Sequence, residues 1–295
     1  MSVSNPTAWE LFTADSHAID AKTIADMEDN FFFLLRLPNG TKKTTYRHRL
    51  VEIAEACNGL LAKKPTPFRL LDIGISSGVT TKEWMDTLDT FNANYHMDAV
   101  DLCLHGVIES IGPGFRVLRD SAGRALQFDV CGWALANHFG YGYWSCAKRL
   151  LPVSIARLFF GAGSWLATCS RHPRTLKVSL VTRGLTASNR LRLLEADVLR
   201  IGSLGETYDL IRAANILNRA YFSDSDLGFI IGQIGQCMKS GSLLIAVRTR
   251  DDRSANDGTV FQMENSGRLG ILKRFGSGSE IESIVAAVNA LKPST

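Results

Sequence analysis

Along this chain, short apolar runs alternate with stretches in which apolar residues recur every three or four positions. Leu70 to Ile73, Tyr95 to Asp101, Leu194 to Leu199, Tyr208 to Asn218 and Gly241 to Arg248 read as strands. A helix over Lys82 to Leu88 separates the first two, and the stripe Leu50, Ile53, Ala54 and Cys57 predicts a helix from about Thr44 to Leu61 that packs on the sheet. Upstream, a helix is expected over Ile19 to Asp29, followed by the apolar run Phe31 to Leu35 and a turn at Pro38-Asn39-Gly40. Near the end, Asn256-Asp257-Gly258 signals a tight turn ahead of two strand-like runs, Thr259 to Met263 and Arg268 to Phe275, which would form an antiparallel edge. A last helix spans Ser279 to Leu291, with Ser279 as N-cap and Glu280 and Glu282 in its first turn.

The densest chemical signal is the passage from the first strand into its helix, Asp72-Ile73-Gly74-Ile75-Ser76-Ser77-Gly78. Gly74 and Gly78 let the backbone turn sharply and approach a ligand where a Cβ would collide. The helix that follows offers unpaired N–H groups at its start. A strand, a glycine loop and a helix together make a nucleotide-type site at the carboxyl edge of a parallel sheet. A dinucleotide fingerprint counted from Gly74 would need glycines where Ser76 and Val79 stand. The order Asp72-x-Gly74-x-Ser76-x-Gly78 resembles motif I of class I S-adenosylmethionine (SAM) methyltransferases.

That resemblance implies a Rossmann-like α/β fold with a mostly parallel seven-stranded sheet, helices on both faces and SAM as cofactor. It implies that Asp72, Gly74, Ser76, Ser77 and Gly78 surround the cofactor, and that Asp101, with Leu102 beside it, accepts hydrogen bonds from the ribose hydroxyls. Asp197 and Val198 would stand at the adenine end, and Asn215, closing the fourth strand, would face the sulfonium. An acid about 20 residues past the glycine loop is also the dinucleotide pattern, so Asp101 alone does not separate the two cofactors. The five strands in family order make the stronger case. Tyr221 lies close in sequence to where the methyl should point and is a candidate base; His138, beside Phe139 and Tyr141, is the other. The run Asn215 to Phe222 faintly resembles a segment of chemotaxis-receptor methyltransferases, but Ala214 stands where that segment has Arg, so no protein-glutamate substrate is carried over. The resemblance covers roughly residues 44–105 and 190–250, and implies methyl transfer to a small or amphiphilic acceptor.

Composition narrows this picture. A chain of 295 residues, 45% hydrophobic, can bury a full core. Its six cysteines are scattered with no Cys-x-x-Cys pair and its six histidines include no His-x-x-x-His pair, so neither a metal site nor a disulfide framework is expected. The N-terminus lacks the basic-then-apolar order of a signal peptide; with the scattered cysteines this fits a reducing cytoplasm.

The unusual part lies between the second and third strands, where Asp101 and Asp197 are 96 positions apart. Phe115 to Val130 reads as two short strands around a Ser-Ala-Gly turn; beyond it come Gly140-Tyr141-Gly142-Tyr143-Trp144 and an apolar stretch, Leu150 to Thr168. From Val130 to Leu194 there is no acid and there are nine cations, while the whole chain is only +4. Three readings compete. Leu150 to Thr168 is just long enough to span a bilayer, against the cost of a central Arg157. It can lie as a basic helix on an anionic membrane or lid an amphiphilic substrate, making the protein peripheral to the membrane. Or it can pack against the core, its cations forming a solvated rim or meeting an anionic acceptor. A nucleic-acid surface would need a more basic balance overall. The expected organisation is an N-terminal helical extension (1–43), a cofactor core (44–105 and 190–295) and an inserted basic, apolar cap (106–189).

Overall fold

The computed structural model describes residues 5–15, 18–37, 43, 46–62, 66–91, 93–137, 174–250 and 255–291. The chain begins with helices α1 (Ala8–Thr13), α2 (Ala21–Leu34) and α3 (Val51–Leu61), then strand β1 (Phe68–Ile73), helix α4 (Val79–Thr90) and strand β2 (Tyr95–Asp101). Five strands follow: β3 (His105–Gly112), β4 (Phe115–Asp120), β5 (Ala125–Val130), β6 (Trp133–Ala136) and β7 (Arg174–Ser179). Next come β8 (Leu191–Glu195), a 3-10 helix (Val198–Leu204), β9 (Tyr208–Ala214) and α5 (Asp224–Gln236). The chain ends with β10 (Met238–Thr249), β11 (Asn256–Met263), β12 (Leu269–Phe275) and α6 (Glu282–Ala290). These elements fall into two compact units, one made of residues 46–104 and 183–295 and the other of 1–45 and 105–182.

The first unit is a mixed α/β layer structure. Its sheet has the order β12-β11-β10-β9-β1-β2-β8. β8, β2, β1, β9 and β10 pair in parallel, and β11 and β12 complete an antiparallel edge. Alternation along each strand decides what each face carries. Leu71, Ile73, Ile211, Ala213, Leu244 and Ala246 face a core closed by Ile230, Ile231 and Ile234 of α5 and Ile284 and Val285 of α6. The opposite face carries Asp72 and Arg212 and is covered by α4, whose fully buried Trp84 lies against Arg212, and by α3, which packs on α4. Helices therefore cover both faces, as the strand pattern requires.

Several boundaries differ from the sequence reading. The helix expected from Thr44 begins at Val51, because His48 takes a left-handed backbone (φ +61°) that interrupts helical continuity. The third strand ends at Glu195, before Asp197, which caps the 3-10 helix instead. Asn256-Asp257-Gly258 does not turn; it opens β11, paired with Thr249, Arg248 and Val247. Gly258 serves close packing there, since a Cβ would come within 2.8 Å of the Ala246 carbonyl oxygen. The last helix starts at Glu282, three residues past Ser279.

The second unit joins segments the sequence reading kept apart. Its sheet, β6-β5-β4-β3-β7, is antiparallel throughout, with the expected pair of short strands around Ser121-Ala122-Gly123 as β4 and β5. The N-terminal residues belong to this unit. Ala8 donates its N–H to Gln127 Oε1 (2.7 Å), Thr182 Oγ1 donates to Glu28 Oε2 (2.6 Å), and buried Lys43 reaches the Leu180 carbonyl (3.3 Å). Arg116 lies over the Trp9 ring (4.3 Å) while paired with Asp129. The described residues up to Lys43 are thus not a separate extension: they find polar partners on β5 and in the segment just after β7. The Pro38-Asn39-Gly40 turn, His138, Gly140 to Trp144 and Leu150 to Thr168 lie outside the described residues. Among the described residues no helix is long and apolar enough to cross a membrane.

In the first unit, buried Asp98 accepts hydrogen bonds from Arg192 (2.7 and 2.6 Å) and from Tyr208 Oη (2.7 Å). Burial alone would raise its pKa, but these bonds outweigh it and hold the carboxyl below its ordinary value. A depressed folded-state pKa means the contribution is complete above about pH 4 and lost as pH falls further. We expect Tyr208→Phe to cost roughly 1.5–3 kcal/mol in urea denaturation at pH 7, with the difference from wild type shrinking toward pH 2. A pH-independent difference would show that Asp98 is not the acceptor that matters.

Candidate functional site

Because β8, β2, β1, β9 and β10 run in parallel, their carboxyl ends lie along one edge of the sheet, and the sequence-predicted residues of the first unit gather there. At the end of β1 the chain passes through three left-handed residues, Gly74 (φ +71°), Ser76 (φ +59°) and Gly78 (φ +75°). A side chain at position 74 would also bring its Cβ within 3.0 Å of Ile216 Cβ. Gly78 is the N-cap of α4 and supplies no side-chain cap to the helix's first N–H groups. Ser76 is a non-glycine residue in a costly conformation, and its strain is held by a bond to the neighbouring strand. Its N–H donates to Asp101 Oδ2 (2.7 Å) at the end of β2, while the Cys103 N–H donates to Oδ1 (3.1 Å). Asp101 thus shapes the loop through backbone N–H groups, one on each carboxylate oxygen.

Asp72 occupies a different place from the one its motif suggests. It is 1% exposed, and both its oxygens are committed. Arg212, its register partner on β9, donates Nε to Oδ1 (2.9 Å) and Nη2 to Oδ2 (2.5 Å), and Thr81 Oγ1 donates to Oδ2 (2.7 Å). Arg212 Nη2 also reaches the Thr80 carbonyl (3.2 Å), and the guanidinium stacks on Trp84 at 4.4 Å. Asp72 therefore positions the loop and the start of α4 and does not present a free carboxylate to a ligand. Sequence reasoning missed Arg212, although one signal was present: a lone Arg inside the otherwise apolar run Leu210 to Ala214 must find a buried acid.

The remaining candidates sort by geometry. Ser77 is buried in the loop, and Leu102 and Val198 lie beside the ends of β2 and β8. Asp197 accepts from the Leu199 N–H (3.0 Å) as a helix cap just beyond β8. Asn215 has a left-handed backbone (φ +60°), and its side chain accepts from the Thr249 N–H (2.8 Å), locking the end of β9 to β10. Its contribution at the edge is therefore the path of the backbone. Tyr221 sits on the turn after β9, 42% exposed, its N–H donating to the Asn218 carbonyl (3.2 Å). His138 lies outside the described residues. Among those described, no group of His, Cys, Asp and Glu is arranged to hold a metal ion. At the end of β10 a cavity of about 340 Å³ is lined by Arg248, Arg250, Asp257, Gly278, Ser279 and Glu280, with ion pairs Arg248–Glu280 (2.9 Å) and Arg250–Asp257 (2.7 Å) in its wall.

No family model matches this chain, and no curated protein matches it. Among solved structures, the chain is similar to the N-methyltransferase NodS from Bradyrhizobium japonicum WM9 in complex with S-adenosyl-L-homocysteine: 11% identity, 70% of this chain and 65% of that one, TM-score 0.33. It is also similar to the CurJ carbon methyltransferase, at 17% identity over 68% of this chain and 35% of that one, TM-score 0.34. SAM-bound CalS10, an amino pentose methyltransferase from Micromonospora echinaspora, is similar at 13% identity over 83% and 82% of the two chains, TM-score 0.35. The chain thus spans less than two thirds of NodS and about a third of CurJ. At these scores the likenesses carry no argument about the site.

The Asp72–Arg212 pair gives a sharp test. Asp72→Leu or Arg212→Met alone strands a buried charge and should cost about 3–5 kcal/mol by urea denaturation, whereas the double variant should recover most of that loss. Single variants within about 1 kcal/mol of wild type would show that the pair does not hold the loop.

Proposed function

We propose that the unit formed by residues 46–104 and 183–295 binds SAM and that the protein transfers its methyl group to a small or amphiphilic acceptor. One observation carries this reading: the left-handed loop from Gly74 to Gly78 is tied through the Ser76 N–H to Asp101, in front of a helix start without a side-chain cap. Those features suit a nucleoside-bearing ligand laid across the carboxyl edge, its ribose hydroxyls on Asp101 and its base toward Asp197 and Val198. SAM supplies, when bound, an electrophilic methyl on a neutral leaving group. The protein's task is then alignment, and removal of a proton where the acceptor is an N–H or O–H group. Tyr221, on the turn after β9, is the base candidate within the described residues, and the cavity at the end of β10 offers a polar acceptor a place on the same edge.

The basic insertion supports a second element of this proposal, an anionic or amphiphilic partner. Of the nine cations from Val130 to Leu194, Arg190 and Arg192 are paired with Asp89 and Asp98, whereas Arg174 and Lys177 stand exposed on β7. Sedimentation with anionic vesicles that disappears at high salt is the expected result, since exposed charges are screened first. Sedimentation with neither anionic nor neutral vesicles would remove the membrane from the proposal.

The cofactor is tested by calorimetric titration of the purified protein with SAM and, separately, with NAD. Binding is expected for SAM only, with Asp101→Ala weakening it by roughly 1–3 kcal/mol and Gly78→Val abolishing it in a folded protein. Tight NAD binding without a SAM response would end this reading.

A further inference from the structure

The turn from Tyr46 to Leu50, just before α3, is pinned at two points. The His48 N–H donates to Glu83 Oε1 on α4 (2.9 Å), and the Arg49 carbonyl accepts from Asn256 Nδ2 at the start of β11 (2.7 Å). Asn256 in turn accepts from Thr249, the residue that Asn215 holds. The turn therefore runs from α4 to the edge where β9, β10 and β11 meet. The Arg49 side chain is half-buried, and its Nε is buried without a hydrogen-bond partner. Its electrostatic neighbours are Arg212, Glu83, Tyr46 and Asp72; burial first, then Arg212, push its pKa down to about 10, against the pull of Glu83, Tyr46 and Asp72.

Glu83 mirrors this state. Its Oε1 accepts from His48, but Oε2 is buried and also has no partner. A buried guanidinium N–H and a buried carboxylate oxygen thus attract one another without a hydrogen bond to satisfy either, an arrangement that folded proteins rarely leave unfilled. The indole N–H of Trp84, next to Glu83 on α4, and Nη1 of Arg212, which lies over that ring, are further buried groups without a partner. A neutral set of this kind does not select a simple anion, because Glu83 and Asp72 would repel it. It selects a ligand of reversed polarity, with a carboxylate for Arg49 and an ammonium for Glu83.

We propose that Arg49 and Glu83 receive an α-amino acid zwitterion, the amino-acid end of the cofactor, placed beside Asp72 two residues ahead of the glycine loop. This rests on the SAM-binding reading above and adds to it the residues that distinguish SAM from a bare nucleoside.

Two ligands separate the contributions. S-adenosylhomocysteine carries the amino-acid end, and 5′-methylthioadenosine keeps the nucleoside and sulfur without it. Calorimetry on the full chain should show wild type binding the first at least about tenfold more tightly. Arg49→Met should weaken S-adenosylhomocysteine about 10- to 100-fold and leave methylthioadenosine within about twofold, which also serves as the control for folding. Glu83→Gln should reduce the same preference by a smaller factor. Equal losses for both ligands, or an unchanged ratio, would overturn the assignment and leave nucleoside binding intact. Failure of wild type to bind either ligand would instead remove the cofactor reading itself. Free methionine binding as tightly as S-adenosylhomocysteine would assign the pair to a separate amino acid, against the proposal.

Discussion

The buried ion pair between Asp72 and Arg212 is the constraint on which the carboxyl edge of the parallel sheet depends. Two charges leave water at the centre of a parallel sheet, which is tolerable only with near-ideal geometry and additional hydrogen bonds. The pair has both: two Arg-to-carboxylate bonds, a third from Thr81, a carbonyl from Thr80 and an indole face. Each partner belongs to a different strand, and the extra bonds come from the first turn of α4. One interaction thereby fixes β1 against β9 and sets the helix start on top of both. An apolar pair would fill the same volume without aiming α4, which is the physical case for keeping charge in this position.

Strain collects at the same edge. Gly74, Ser76, Gly78 and Asn215 all have positive φ, and the two that are not glycine are each held by a hydrogen bond to the adjoining strand end. Such conformations persist where the surroundings over-determine them. Asp101 orders the loops after β1 and β2 together, accepting from the Ser76 and Cys103 N–H groups. Farther along the sheet, Asp98 with Arg192 and Tyr208 plays a purely architectural part, tying β2 to β8 and β9.

Much of this was legible in the residues. The second strand, Tyr95–Asp101, was read to its ends, and so was the order of the five parallel strands, because buried strands need unbroken apolar runs and leave little freedom of assignment. Boundaries decided by single backbone conformations were not: the late start of α3 follows from His48, and the end of β9 from Asn215. Asn256-Asp257-Gly258 carries turn chemistry yet lies in a strand, because Gly258 is needed for close approach to Ala246 and Asp257 pairs with Arg250. Residues 1–43 read as an extension, since nothing local shows that Ala8, Glu28 and Lys43 find partners more than a hundred positions away.

The sequence by itself determined the α/β class, the glycine loop and the acid at the end of each of the first two strands, because periodicity and backbone freedom are local properties. Which acid is locked into a buried ion pair was decided only by the tertiary structure. Asp72 and Asp101 close neighbouring strands, but Asp72 stands in register with Arg212 and is consumed by it, whereas Asp101 accepts from two backbone N–H groups in the loops that follow β1 and β2. Tertiary structure also brought Arg49 and Glu83 within electrostatic reach of each other, since the turn that carries Arg49 is anchored by residues from both halves of the unit. Pairing across a sheet depends on register and on long-range partners, and neither is encoded in the spacing of residues along the chain.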